Sequence, residues 1–111
     1  MSPPWMPLYV RDYLADTAEL STLEHGAYLL LIMNYWQKGG LPIEDAKLAK
    51  IVRLRMEQWR KVKPAIERFF GPSWTHKRIE AELHRSAAIS LKRRTARRAF
   101  VGTNVRHLLN K

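Results

Sequence analysis

"GGLPIEDAKLAKIVRLRMEQWRKVKPAIERFF", residues Gly39 to Phe70, decides the fold. Two amphipathic segments meet at "RLR". Pro42 suits a first helical turn, and Glu44 and Asp45 favour the positive end of a helix dipole, so a short helix begins here. Leu48, Ile51 and Val52 share its inward face, and Leu54 plugs the core between Arg53 and Arg55. A longer helix follows, from about Met56 to Phe69. It turns Met56, Trp59, Val62, Ile66 and Phe69 inward and Glu57, Arg60, Lys61, Lys63, Glu67 and Arg68 outward. Pro64 lacks the N–H that a helix interior needs and predicts a kink or break. The stretch reads either as a helix-turn-helix that meets DNA or as two core helices with solvated charges.

Its neighbours favour the first reading. Upstream, Ser21 and Glu24 match a capping box, and Leu23, Ala27, Leu30, Leu31 and Tyr35 keep helical spacing. Tyr28, Ile32, Met33 and Trp36 widen that stripe until little polar face remains, which places this helix at the domain centre. Gly39 and Gly40 end it. "LYVRDYLADT" (Leu8 to Thr17) reads equally as an extended lead-in or one or two helical turns. Downstream, "FFGPSWTHKRI" sets Gly71, Pro72 and Ser73 between two short apolar-bearing segments, which predicts a small β-hairpin. Ile79, Leu83, Ala87 and Leu91 then mark a last amphipathic helix. With "GLPI" as a short first strand, this is the order of a winged helix-turn-helix: a mainly α domain with a small β-hairpin wing and a C-terminal helix running into a basic tail. The expected organisation is a winged-helix domain over 1–91, its first 20 residues irregular, then an Arg-rich tail over 92–111 that is a solvated helix or a mobile arm.

The chain has 111 residues, enough for one small domain. With 46% hydrophobic residues it can bury a real core, and without cysteine it has no disulfide, thiolate metal site or thiol nucleophile. No basic n-region precedes an apolar run at the N-terminus, and the longest apolar run, "AYLLLIM", is seven residues. Neither a secretory signal nor a membrane span is read, so the expected compartment is the cytoplasm. Charge is lopsided. Residues 1–50 carry four Lys/Arg and six Asp/Glu, whereas residues 51–111 carry sixteen and four. A net +12 in the second half points to a polyanionic partner.

Catalytic patterns are missing. His25, His76, His84 and His107 do not form a zinc-binding pair, and no H-E-x-x-H, G-x-S-x-G, phosphate-binding loop or G-x-G-x-x-G occurs. Glu80 and Glu82 fall on opposite sides of a helix and make a poor acid/base pair. The chain therefore reads as a non-enzyme with no cofactor and no metal.

Binding has better support. In a helix-turn-helix the second helix enters the major groove. That assigns Arg55, Arg60, Lys61 and Lys63, with Arg53 in the turn, and Lys77 and Arg78 just after the wing. Arg pairs bidentately with guanine, while Lys meets phosphate as a point charge. "KRRTARR" adds Lys92, Arg93, Arg94, Arg97 and Arg98, which supply affinity without sequence discrimination. Taken singly, each is more readily a solvated charge; taken together, they favour duplex DNA. Of the aromatic residues, Trp36, Trp59, Phe69 and Phe70 sit at core spacing. Trp5, Tyr9 and Trp74 read as anchors of the N-terminal segment on the wing in preference to a base-stacking platform.

"PLYVRDYLADT", "LSTLEHGAYLLLIMNYWQKGGLP", "LAKIVRLRMEQW", "IERFF" and "HKRIEAEL" occur in this order over about residues 5 to 95. This resembles the YdaU-type phage and prophage proteins, a domain-of-unknown-function family described as replication-protein-like. Its most specific elements here are Asp12–Tyr13, Asp16–Thr17, Tyr28 in "GAYLLL", "GGLP" and Trp59. The resemblance implies a winged-helix DNA-binding domain of a phage-derived replication or replisome-organising protein. Longer relatives carry a C-terminal part that engages the host helicase or its loader; only the DNA-binding part carries over to these residues. "RLR" lacks the Gly and Ser common in such turns. The expected function is DNA binding in replication initiation or replisome organisation. The alternatives are a protein-interaction module that binds a replisome partner or a second copy, and a small phage transcriptional regulator.

Overall fold

The computed structural model describes residues 3–109, with side chains for residues 3–89 and 91–96. Its elements are α1 (Val10–Asp16), α2 (Thr22–Lys38), α3 (Asp45–Ile51), α4 (Met56–Glu67), a 3₁₀ turn at Pro72–Trp74 and α5 (Lys77–Leu109). An irregular strap, Pro3 to Tyr9, bent at Pro4 and Trp5, precedes α1.

The central helix α2 starts and stops where its chemistry dictates. The Ser21 hydroxyl accepts from the Glu24 N–H at 3.1 Å, and the Glu24 carboxylate accepts from the Ser21 N–H at 2.8 Å. Gly39 closes the helix in the left-handed region, at φ 82°, where a side chain is strained. Between these caps α2 buries Ala27, Tyr28, Leu31, Ile32, Tyr35 and Trp36 and packs on α3, α4 and α5. Leu48 and Ala49 of α3 and Trp59, Val62 and Ile66 of α4 complete the core with Val52. A buried Leu or Ile side chain contributes about 1.5–3 kcal/mol, so the five residues with almost no exposure, Leu31, Tyr35, Leu48, Trp59 and Ile66, dominate it. Trp59 also locks α3 to α4, because its indole Nε1 donates to Asp45 Oδ1 at 3.0 Å.

The expected β-hairpin wing is not there: among the described residues the chain is all helical, without a strand. After α4 the Phe69 and Phe70 N–H groups donate back to the carbonyls of Ile66 and Glu67, so the chain keeps turning where a strand was expected. Gly71 N–H then donates to the Thr75 carbonyl at 2.7 Å around the 3₁₀ turn. Ser73 and Trp74, at φ 55° and 58°, accept left-handed backbone. The physical reason is burial of aromatic surface. The turn drives the Trp74 ring into the core, 5.8 Å from that of Trp59 and 5.1 Å from that of Phe70. Left-handed backbone at Ser73 and Trp74 is incompatible with an extended strand there, and this backbone turns the Trp74 ring onto Trp59. Trp74 is thus a core residue and no anchor on a wing. "GLPI" forms a loop with Ile43 exposed, since a first strand has no hairpin to pair with. Pro64 also departs from expectation. It is exposed within an unbroken α4, where its missing N–H leaves only the Arg60 carbonyl short of a partner near the helix end.

The ambiguous "LYVRDYLADT" contains α1. Its one buried side chain, Tyr13, lies parallel to the ring of Tyr28 with centroids 5.9 Å apart. α5 is a single helix of 33 residues, about 50 Å long at 1.5 Å per residue. Only its first turns bury side chains. From Ala87 onward its described side chains are exposed, and it extends the molecule to 72 Å against 30 and 21 Å across.

Candidate nucleic-acid interface

Three tyrosine hydroxyls fix the direction of α5. Tyr35 donates to the Glu80 carboxylate, and Tyr9 donates to Glu82 Oε1 at 2.9 Å. Tyr28 meets His76 Nε2 at 2.9 Å. His76 itself caps α5: its Nδ1 accepts from the Ile79 N–H at 3.3 Å. A ring nitrogen that accepts carries no proton, so the neutral ring holds its proton on Nε2 and donates it to Tyr28. Burial, then the charge of Arg78, holds the His76 pKa below the usual imidazole value. Burial likewise raises Tyr13, and raises Tyr28 to about 12. Burial and the bond to Glu80 raise Tyr35. These groups stay neutral at pH 7, so the cluster is a structural clamp that aims α5.

Around this clamp lies a cavity of about 250 Å³ beneath the strap, lined chiefly by Met6, Leu8, Tyr13, Tyr28, Phe69 and Ile79. Among the described residues no group of three or more His, Asp or Glu is placed to hold a metal ion.

The basic residues sort into three sets. On the α3–α4 unit, Arg53 (φ 62°), Arg60 and Lys61 are exposed. Two others expected here are engaged within the protein. Arg55 pairs with Glu57 at 3.3 Å, and Lys63 pairs with Asp45 at 3.0 Å. Asp45 ionises more readily than an ordinary carboxyl because Trp59 and then Lys63 hydrogen-bond its charged form. Glu57 in the first turn of α4 leaves this surface of mixed sign.

Lys77 and Arg78, expected beside a wing, open α5 instead. Arg78 pairs with Asp12 at 3.6 Å, its guanidinium 5.6 Å from the Tyr9 ring centre. The third set lies along α5. Lys92, Arg93 and Arg94 are exposed, while the side chains of Arg97 and Arg98, like those of Phe100, Leu108 and Leu109, lie outside the described residues. From Leu83 to Lys111 the sequence has eight Lys/Arg and no Asp/Glu. The structure thus brings together a basic helix standing clear of the domain body, and leaves the α3–α4 cations as a smaller, separate group. No described helix is long and apolar enough to cross a membrane.

Sequence reasoning did not find the tyrosine clamp. Its partners are 45 to 73 residues apart, and no local spacing signals such pairs. The nearest signal was the placing of Glu80 and Glu82 on different helix sides, which lets each meet a different tyrosine.

Comparison with known proteins yields one family and one curated relative. A family model described as "Protein of unknown function (DUF1376)" matches residues 4–84. The uncharacterized protein YdaU of Escherichia coli (strain K12) is 55% identical over 83 residues, covering 72% of this chain and 29% of that protein. The chain thus spans less than a third of that relative's length. No solved structure matches.

Proposed function

The chain belongs to the DUF1376 family, and we propose that it is a cytoplasmic, non-enzymatic DNA-binding module of phage or prophage type, acting in replication initiation or replisome organisation. One observation carries the DNA reading: seven Lys/Arg without a single acid between Leu83 and Leu109, on a helix that leaves the domain body. A solvated helix of one charge sign concentrates positive potential along its length and releases counterions when it meets phosphates. The α3–α4 cations Arg53, Arg60 and Lys61 act as a second contact. The phage and replication setting rests on the motif resemblance alone.

The test is fluorescence anisotropy of a labelled duplex, titrated with salt. Each phosphate contact contributes about −0.9 to the log–log salt slope. Changing Lys92, Arg93 and Arg94 together to Gln flattens the slope by about 2–3, and changing Arg53, Arg60 and Lys61 to Gln flattens it less. Absence of duplex binding at low salt, or a slope indifferent to the α5 changes, refutes the reading.

A protein-interaction role is the second reading. One observation favours it: Val10 and Leu14, one turn apart on α1, are each 59% exposed. Such a pair on an outer helix face suits docking by a replisome partner.

A further inference from the structure

We infer that the groove between the N-terminal strap and the base of α5 holds single-stranded nucleic acid, with Trp5 as its base-stacking platform. The inference rests on the DNA-binding reading and adds to it a second, chemically distinct contact.

The strap crosses α5 at a face that carries Glu82, Arg85, Ile89 and Arg93 at helical spacing. With Trp5 and Tyr9 opposite, these residues enclose a groove of about 530 Å³, within the range of sites that hold small organic ligands. Trp5 is the anomaly. Trp36, Trp59 and Trp74 are 5%, 0% and 7% exposed, whereas Trp5 is 66% exposed and Tyr9 45%. A large aromatic ring left this exposed beside a groove is surface of the kind that a partner covers.

The strap is held in place on both sides of Trp5. Trp36 Nε1 donates to the Pro3 carbonyl at 2.9 Å, and Tyr9 donates to Glu82. Pro3, Pro4 and Pro7 restrict the backbone between. The Trp5 ring is therefore presented on a segment with little left to order, which lowers the entropy lost on binding.

Charge selects the partner. The one acid in the groove, Glu82, is buried and already bonded to Tyr9, with Arg85 at 3.4 Å. Arg93 lies two turns further on, exposed, and the acid-free remainder of α5 continues from it. Exposed aromatic faces interleaved with arginine are the arrangement that holds unpaired bases over a tracked phosphate backbone. A duplex hides its base faces in the stack and gains nothing from Trp5. The chemistry needed is an unpaired base on a phosphate backbone, which both DNA and RNA strands offer.

The experiment compares the full chain with Trp5→Ala, Trp5→Phe and Arg93→Gln. It uses anisotropy with labelled oligothymidine and oligouridine of about 15 nucleotides and with a duplex of the same length. Trp5→Ala is expected to weaken single-strand binding about five- to one-hundred-fold and to leave duplex affinity and the far-UV spectrum unchanged. Trp5→Phe restores most of the loss, and Arg93→Gln flattens the single-strand salt slope by about 0.7. Equal affinity for the two oligomers assigns the site to either sugar; a preference assigns it to DNA or RNA. If Trp5→Ala binds both single strands as the parent does while duplex binding persists, or weakens all three ligands alike, the groove inference falls and the DNA-binding reading stands. Absence of binding to any of them overturns both.

Discussion

Protonation of His76 should loosen the N-terminus of α5, and the size of the effect follows from its contacts. The neutral ring accepts the Ile79 N–H at Nδ1 and donates to Tyr28 from Nε2. A second proton on Nδ1 removes the acceptor and leaves a first-turn N–H unpaired, a loss of about 1 kcal/mol by analogy with other caps. It also sets a positive charge at the positive end of a helix dipole, which costs about 0.3–1 kcal/mol.

The sign follows from the lowered pKa of the folded state. The unfolded chain takes up its proton near the ordinary value of about 6.5, before the folded chain does. Stability is therefore complete above about pH 6.5 and declines as pH falls below it, levelling once the lowered folded value is passed. The expected loss is about 1–2 kcal/mol, or a fall of about 0.5–1.5 M in the urea midpoint.

The assay is urea unfolding followed by far-UV circular dichroism at pH 7.5 and pH 5, for the parent and His76→Asn. Asparagine is at least as good an N-cap and does not titrate. The difference between the two proteins cancels every ionisable group they share. His76→Asn should lose some stability at pH 7.5, where its contact with Tyr28 is gone, and fall less than the parent on going to pH 5. Equal falls in the two proteins would refute the assignment of His76 as a neutral cap.

Two further substitutions test the core and the turn. Trp59→Ala should cost about 3–5 kcal/mol. Trp59→Phe, which keeps most of the ring volume but drops the bond to Asp45, should cost about 1–2 kcal/mol; urea midpoints measure both, and a neutral Trp59→Phe would remove Asp45 from the α3–α4 lock. Arg53→Gly relieves left-handed backbone at φ 62°, and relief outweighs the added freedom of the unfolded chain by about 0.5–1 kcal/mol. Its melting temperature should rise, while duplex affinity falls by one phosphate contact.

Much of the architecture was legible in the residues, wherever the determining partners lie close along the chain. Ser21 and Glu24 are three residues apart, and their reciprocal bonds form as their spacing requires. Gly39 stops α2 because few other residues adopt its backbone. The inward faces of α3 and α4 followed from periodicity, and the family followed from motif order. The run of basic residues after Glu82 was likewise visible, since charge is a property of composition.

The tertiary structure decided what depends on distant partners. Gly71–Pro72–Ser73 is turn chemistry in either a hairpin or a 3₁₀ turn, and the choice fell to Trp74, whose place beside Trp59 no local pattern encodes. α1 was ambiguous until Tyr13 met Tyr28 across the fold. Trp5 read as an anchor on a wing; without that wing it stands in a groove opposite residues some eighty positions later. Short-range hydrogen bonds and side-chain periodicity are written locally, whereas burial is settled by the whole chain competing for one core. The sequence by itself therefore determined helices α2, α3 and α4 and the distribution of charge, and the competition for that core determined which aromatic rings it took and which were left facing solvent.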